Sequence, residues 1–155
     1  KTLIDPSLKG MGTTVSMVTL ARHMAFWGHV GDSRIYLYRD GEFKQISVDH
    51  TIVQVLLEKG KITEEEAMDH PQRHVLTRAV GVDENLVVDS GAFEVQPKDR
   101  ILICSDGLTS FIQKQELYDA IGDYRRTERE IINDLFARVY ENGAKDNITA
   151  ILTTI

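Results

Sequence analysis

The chain has 155 residues, 42% of them apolar and 27% charged, a composition typical of one globular domain with its own core. Its net charge of -6 argues against a general nucleic-acid binder, because no broad basic surface would neutralise phosphates. The apolar runs are too short to cross a bilayer, and a single cysteine, Cys104, excludes an internal disulfide and a cysteine-based zinc site. We therefore expect a cytoplasmic protein that binds neither nucleic acid nor membrane.

The first third of the sequence predicts antiparallel strands. A glycine turn at 10–12 leads into an alternating, β-branched run, and a second apolar run, from His23 to Val30, ends at Gly31-Asp32. The Asp40-Gly41 pair lies between two further strand-like runs and is typical of a hairpin, since both residues tolerate positive φ. Residues 14–46 therefore predict an antiparallel meander.

The pattern then changes from a strand period to a helical one. Asp49 is suited to cap a helix whose apolar residues share one face, and Gly60 would end that helix. Thr63 and Glu66 have the spacing of a capping box for a second, short helix. We expect residues 49–80 to form a small helical insertion between strands, which could act as a lid.

The second half predicts further strands and two helices. Strands are expected from Leu86 to Phe93 and from Arg100 to Cys104, the latter apolar throughout and so buried on both faces. One helix is expected over Lys114–Ile121, and a capping box beginning at Thr127 starts another with one apolar face. The last run, Ile148–Ile155, alternates as a strand. The fold class is α+β, mostly antiparallel, with two late helices covering one face.

Three aspartates follow or precede apolar strand-like runs: Asp32, Asp106 and Asp146. Carboxylates that converge repel one another and need a cation, and oxygen-only ligands suit Mg²⁺ or Mn²⁺. Two such ions can activate a water and orient a phosphoryl group for in-line attack. A single aspartate at such a position is more often a turn residue, so the spacing alone does not favour a metal site.

Most of the other reactive side chains are expected to have structural roles. Cys104 lies in an apolar run and is expected in the core rather than as a nucleophile, because burial raises a thiol pKa. Ser105 has no evident His and Asp partners and is expected to make a hydrogen bond at the strand end. The histidines are scattered, and structural or surface roles are expected for all except His74, for which both interpretations stay open.

Six segments carry a further signal through their order and spacing. They are Gly10–Thr14, Val30–Leu37, Asp49-His50, His70–Gly81, Leu102–Thr109 and Lys145–Thr149. Together they resemble the metal-dependent protein phosphatase family, type 2C, in its bacterial form. The resemblance covers nearly the whole chain, and the combination of segments is highly specific although no single one is.

This resemblance implies a fold and a set of roles. The fold would be an antiparallel β-sandwich flanked by helices. Asp106 and Asp146 would belong to a binuclear Mg²⁺ or Mn²⁺ centre, and Asp32 with Asp106 would hold a third ion. Residues 49–80 would be a flap in which His74 helps to handle substrate. A metal-activated water would attack the phosphorus of a phosphoserine or phosphothreonine protein directly, and no catalytic residue beyond the metal ligands is assigned.

The resemblance does not extend to the N-terminal part of the family's sequence. The family carries there a phosphate-binding Arg, an acidic pair, an Asp-Gly that bridges two metals and a His, and residues 1–9 hold no equivalents. We therefore expect residues 1–155 to be one truncated phosphatase domain, inactive alone, with weak or partial metal occupancy. Exposed strand edges would invite self-association.

Two alternatives remain beside the enzyme. The first is a phosphatase-like binding or regulatory module that has lost catalysis. The second, a structural Ca²⁺ domain, is less favoured because no segment has the dense, alternating acidic loop that Ca²⁺ prefers.

Overall fold

The computed structural model describes residues 6–8, 10–82, 85–144 and 146–155. The strands in these ranges are β1 (Val15–Ala21), β2 (Met24–Val30), β3 (Arg34–Arg39), β4 (Glu42–Gln45), β5 (Asp89–Glu94), β6 (Arg100–Cys104) and β7 (Ala150–Thr154). The helices are α1 (Ile52–Glu58), α2 (Glu64–Met68), α3 (Asp106–Thr109), α4 (Lys114–Gly122) and α5 (Glu128–Glu141), preceded by a 3-10 turn at Pro6–Leu8. Among these helices none is long and apolar enough to cross a membrane.

The strands form two antiparallel sheets that pack face to face. The three-stranded sheet has the order β1-β2-β5, and the four-stranded sheet has the order β4-β3-β6-β7. Ala25 from the first sheet packs in one buried cluster with Ile35 and Ile101 from the second, and these side chains are at most 1% exposed. The predicted antiparallel sandwich with flanking helices is confirmed, with one half of the core lying between the sheets.

The second half of the core lies between the four-stranded sheet and its helices. Leu102 of β6 packs in the same cluster as Leu117 of α4 and Leu135 of α5. In α5 the apolar residues recur every four positions, as Ile131, Leu135 and Val139, and all three are fully buried. This spacing places them on one helical face, so the predicted amphipathic helix is the cover of the sheet.

Three of the predicted local turn and cap signals are confirmed. Asp40 and Gly41 have positive φ values of 48° and 81° and join β3 to β4 as a tight hairpin. The box between Thr63 and Glu66 has both of its reciprocal hydrogen bonds, as has the box that begins at Thr127. These features depend on residues only a few positions apart, which explains why they were predictable.

The predicted meander is wrong at its centre. β2 pairs with β1 on one side and with β5 on the other, so both of its edges are occupied and β3 cannot join it. Gly31, with φ at 112°, instead redirects the chain into the other sheet. Asp32 therefore lies on the link between the two sheets.

Two further boundaries are corrected. Thr51, not Asp49, caps α1 by accepting a hydrogen bond from the Gln54 amide, because the Asp49 carboxylate binds Arg34 instead. The residues Leu86–Val88 are not part of a strand, since β5 begins only at Asp89. A helix of four residues directly after β6, α3, was not predicted from the sequence.

Candidate metal centre

The register of the four-stranded sheet brings the three predicted aspartates to one end. Arg34 at the start of β3 lies opposite Cys104 at the end of β6, and Cys104 lies opposite Ala150 at the start of β7. Asp32, just before β3, and Asp106, just after β6, therefore emerge at the same edge. Asp146 precedes β7 and enters the sheet from the same side.

The backbone before Asp32 has room only for glycine. A Cβ on Gly31 would lie 2.3 Å from Cγ2 of Thr14, and the φ of 112° is itself unfavourable for other residues. On the other side of Asp32, the hydroxyl of Ser33 lies 2.9 Å from that of Thr14. Thr14 therefore contacts both neighbours of Asp32, and this holds the link in place.

A second close approach joins the segments of Asp106 and Asp146. A Cβ on Gly107 would lie 2.3 Å from the carbonyl oxygen of Asn147, so glycine is needed for the two segments to meet. The Ser105 amide donates to the Thr149 carbonyl (2.9 Å), and the Thr149 amide donates to the Ser105 hydroxyl (3.1 Å). Ser105 thus makes the strand-end hydrogen bond that was predicted for it.

The negative charge at this end of the four-stranded sheet favours the binding of a cation. Burial, and next the negative charge of Asp106, raise the pKa of Asp32 to about 6, and Arg34 offsets only part of this. Arg34 is engaged elsewhere, since its Nη2 donates to Oδ2 of Asp49 at 2.7 Å. Asp32 and Asp106 therefore repel each other in a partly buried position, and a bound cation would relieve that repulsion.

His74 approaches the same site from the predicted flap, residues 49–80. Its Nδ1 lies 3.6 Å from Oδ2 of Asp106, and its side chain is 53% exposed. The two ends of this segment lie side by side, because the Ile52 amide donates to the Val75 carbonyl at 3.0 Å. His74 can therefore contact both Asp106 and a ligand arriving from solvent.

The Asp146 carboxylate has a hydrogen-bond partner within its own segment. Its Oδ1 accepts a hydrogen bond from the Asn147 amide at 2.7 Å, and the residue is exposed. The neighbouring Lys145, part of a segment used in the sequence analysis, lies outside the described residues. The structure places Asp32 and His74 each near Asp106, whereas the Asp146 carboxylate is bonded to the adjacent backbone.

The donor set agrees in chemical type with Mg²⁺ or Mn²⁺. Both ions prefer oxygen ligands, and Mg²⁺ is often held by only one or two carboxylates. Within the described part of the chain, however, no group of three or more His, Cys, Asp or Glu side chains is arranged to hold a metal. Of the described residues, the Asp32 and Asp106 carboxylates could contribute ligands to an ion but do not form a closed cage.

Cys104 and His50 are buried close to this site but are not among its candidate ligands. Burial raises the pKa of the Cys104 thiol to about 12, so its expected role as a core residue is confirmed. The sequence analysis did not anticipate that His50 would be bonded to Asp89, 39 residues away. No local pattern could have indicated that contact, because it arises only when the two segments pack together.

The family comparison agrees with this geometry. The profile of the family described as Protein phosphatase 2C matches residues 4–153. The chain belongs to the protein phosphatase 2C family.

Several members of the family are similar in sequence or structure. The serine/threonine phosphatase stp of Listeria welshimeri serovar 6b is 37% identical over 148 residues, which cover 96% of this chain and 58% of that protein. The crystal structure of the Mycobacterium tuberculosis serine/threonine phosphatase PstP/Ppp has a TM-score of 0.92 at 35% identity, covering 99% of this chain and 64% of that one. The catalytic domain of the phosphatase PstP in complex with two manganese ions has a TM-score of 0.85 at 34% identity, with coverages of 97% and 62%. The chain thus spans less than two thirds of each of these relatives.

Proposed function

We propose that this chain is the C-terminal part of a metal-dependent phosphatase that hydrolyses phosphoserine and phosphothreonine in proteins. The observation that carries the proposal is the Asp32 and Asp106 pair, two mutually repelling carboxylates presented from adjacent strands of a phosphatase 2C fold. Such a pair is unfavourable by itself and is explained by a cation that both carboxylates share. The ordered family segments and the phosphatase relatives support the same assignment.

Under this proposal each candidate residue has a distinct role. Asp32 and Asp106 would hold one Mg²⁺ or Mn²⁺, and Asp106 with Asp146 would contribute to a binuclear pair. A bound ion supplies positive charge that orients a phosphoryl group and favours the ionisation of water. His74 would contact the substrate from the flap, residues 49–80, because it faces Asp106 and is exposed to solvent.

Metal binding and hydrolysis should be tested separately. We expect Mn²⁺ titrated into the 155-residue chain to release heat, and we expect Asp32→Asn and Asp106→Asn to weaken binding at least about tenfold. Asp119→Asn, an exposed aspartate on α4, is the matched control and should bind as the parent does. In the protein extended to the length of its relatives, Asp106→Ala and Asp146→Ala should abolish phosphopeptide hydrolysis with Mn²⁺. Parent-like turnover in both variants would show that the roles are wrongly assigned.

The second candidate is a binding or regulatory module without catalysis. It is favoured by the local hydrogen bond of Asp146, whose carboxylate accepts from the Asn147 amide at 2.7 Å. Reading the coding region upstream of Lys1 separates the two candidates. Asp-Gly and Glu-Asp motifs there support the enzyme, whereas a start codon immediately before Lys1 supports the module.

We also propose that this chain associates with itself through its three-stranded sheet. Met17 of β1 and Phe26 of β2 are 54% and 49% exposed, and Val15, on the same face of β1 as Met17, adds further apolar surface. Within the described ranges β1 pairs only with β2, so its outer edge offers free backbone groups. An exposed apolar patch beside an open edge is a typical association surface. A cytoplasmic location stays a prediction from the sequence.

A further inference from the structure

His50 connects two parts of the molecule through its backbone. Its amide donates to the carbonyl of Gly31 at 2.7 Å, and its carbonyl accepts from the amide of Thr77 at 2.8 Å. Gly31 directly precedes Asp32, whereas Thr77 lies where the flap returns to the body of the protein. His50 is only 4% exposed, so water does not compete for these bonds.

The imidazole ring of His50 makes a second bond to Gly31. The Gly31 amide lies 3.1 Å from Nδ1 and can only donate, so Nδ1 must accept and carry no hydrogen. The ring hydrogen is therefore on Nε2, which donates to Oδ2 of Asp89 at 3.1 Å. Both backbone polar groups of Gly31, its amide and its carbonyl, are thus bound by this one residue.

Asp89 extends the connection to the end of the flap. Arg78 Nη1 donates to Oδ1 of Asp89 at 2.7 Å and lies 3.1 Å from Nε2 of His50. Because both nitrogens are donors, the Asp89 carboxylate is their common acceptor. Asp89 begins β5, which pairs with β2 opposite His29, so this acceptor is anchored in the three-stranded sheet.

We propose that His50 is a positioning residue that couples the flap to the Gly31-Asp32 link. One side of the ring holds the peptide before Asp32, and the other side, through Asp89 and Arg78, holds the chain where it leaves the flap. A displacement at either end would require His50 to move or to break a buried hydrogen bond. The inference rests on the proposed function only in that Asp32 is taken as a metal ligand.

Two substitutions separate the two sides of the ring. In His50→Asn the side-chain oxygen can replace Nδ1 as acceptor for Gly31, but the side chain is too short to reach Asp89. In His50→Gln the longer amide can donate to Asp89, but the Gly31 amide loses its ring acceptor. His23→Gln, at an exposed position in the turn between β1 and β2, is the matched control.

Hydrogen exchange measured by mass spectrometry, first without metal, tests the positioning. We expect His50→Gln to accelerate exchange in peptides covering residues 28–34 about fivefold and to leave those covering 74–80 unchanged, as the loss of one buried hydrogen bond predicts. His50→Asn should have the opposite pattern. Exchange like that of the parent in both variants would overturn the proposal.

The same measurement with Mn²⁺ tests the coupling. In the parent and in His23→Gln, Mn²⁺ should slow exchange in both regions, whereas in His50→Asn it should slow only residues 28–34. A flap response in His50→Asn equal to that of the parent would contradict the coupling. If Mn²⁺ does not bind the parent, the metal assignment fails while the metal-free comparison still decides the role of His50. Asp89→Asn, which retains one acceptor oxygen, provides the same test if the His50 variants unfold: residues 74–80 should exchange faster and residues 28–34 should not.

Discussion

The two sheets of the sandwich share one interior but differ on their outer faces. The four-stranded sheet is covered by α3, α4 and α5, and Leu102 and Leu135 between them are fully buried. The three-stranded sheet exposes Met17 and Phe26 by about half. Strand alternation makes a sheet amphipathic or apolar, but only a second layer decides whether its apolar side chains stabilise the fold. The candidate metal centre lies where the chain crosses from one sheet to the other, at Asp32.

The largest expected effect tests the covered sheet. Leu135→Ala should lower the free energy of unfolding by about 3 kcal/mol or more, because it removes buried surface and leaves a cavity under α5. Phe26→Ala, on the uncovered sheet, should cost less than about 1 kcal/mol although it removes more atoms. Urea denaturation followed by circular dichroism measures both. Equal losses, measured at a concentration at which the chain is monomeric, would remove the contrast between the sheets.

The next effect tests the connection between the two sheets. Arg39 of β3 binds the Asp99 carboxylate through Nε at 2.8 Å and Nη2 at 2.6 Å, and Nη2 also donates to the Glu94 carbonyl at the end of β5. Burial alone would raise the pKa of Asp99, but the bonds from Arg39 and the Gln96 amide lower it below its usual value. Asp99→Ala should therefore cost about 3 kcal/mol at neutral pH.

The pH dependence gives a separate check on this pair. Because the folded pKa of Asp99 lies below the unfolded one, its contribution is present above about pH 4 and is lost as the pH falls through the folded value. The difference between parent and Asp99→Ala in urea denaturation should therefore shrink in acid. A difference that stays constant down to pH 2 would show that packing, not charge, accounts for the loss.

A substitution at the candidate metal centre is expected to raise the free energy of unfolding, by a smaller amount than the losses expected for Leu135→Ala and Asp99→Ala. The pKa of Asp32 is raised to about 6, so ionisation of this residue weakens the metal-free fold as the pH rises from about 4 to 6. Asp32→Asn should therefore raise the unfolding free energy at pH 7 by about 1 to 2 kcal/mol, and the gain should vanish below pH 4. Thermal melts at both pH values, in chelator, measure it. A loss of stability at pH 7 would contradict the proposed carboxylate repulsion.

The last substitution should have the smallest effect on stability but a clear effect on self-association. Phe26→Lys adds a charge to the uncovered sheet and should change the free energy of unfolding by less than about 0.5 kcal/mol. It should nevertheless shift sedimentation velocity profiles toward monomer. Tyr140→Lys, at a 66% exposed position on α5, is the matched control and should leave association unchanged. If both variants associate as the parent does, the three-stranded sheet is not the interface.

What the sequence determined by itself was local or carried by family segments. The Asp40-Gly41 hairpin and the Thr63 capping box depend on contacts between residues a few positions apart, so composition and spacing were sufficient. The positions of Asp32 and Asp106 were recognisable because each lies in a distinctive segment. The role predicted for Asp146 is tested by phosphopeptide hydrolysis in the Asp146→Ala variant.

Only the tertiary structure decided which residues and strands from distant segments bind each other. Asp49 was expected to cap a helix, but Arg34, brought beside it by packing, binds its carboxylate and leaves the cap to Thr51. β3 left the sheet of β2 because both edges of β2 were already paired. In each case one group had two possible partners, and the choice depended on which other surfaces were buried at the same time. That is a property of the whole fold rather than of any segment.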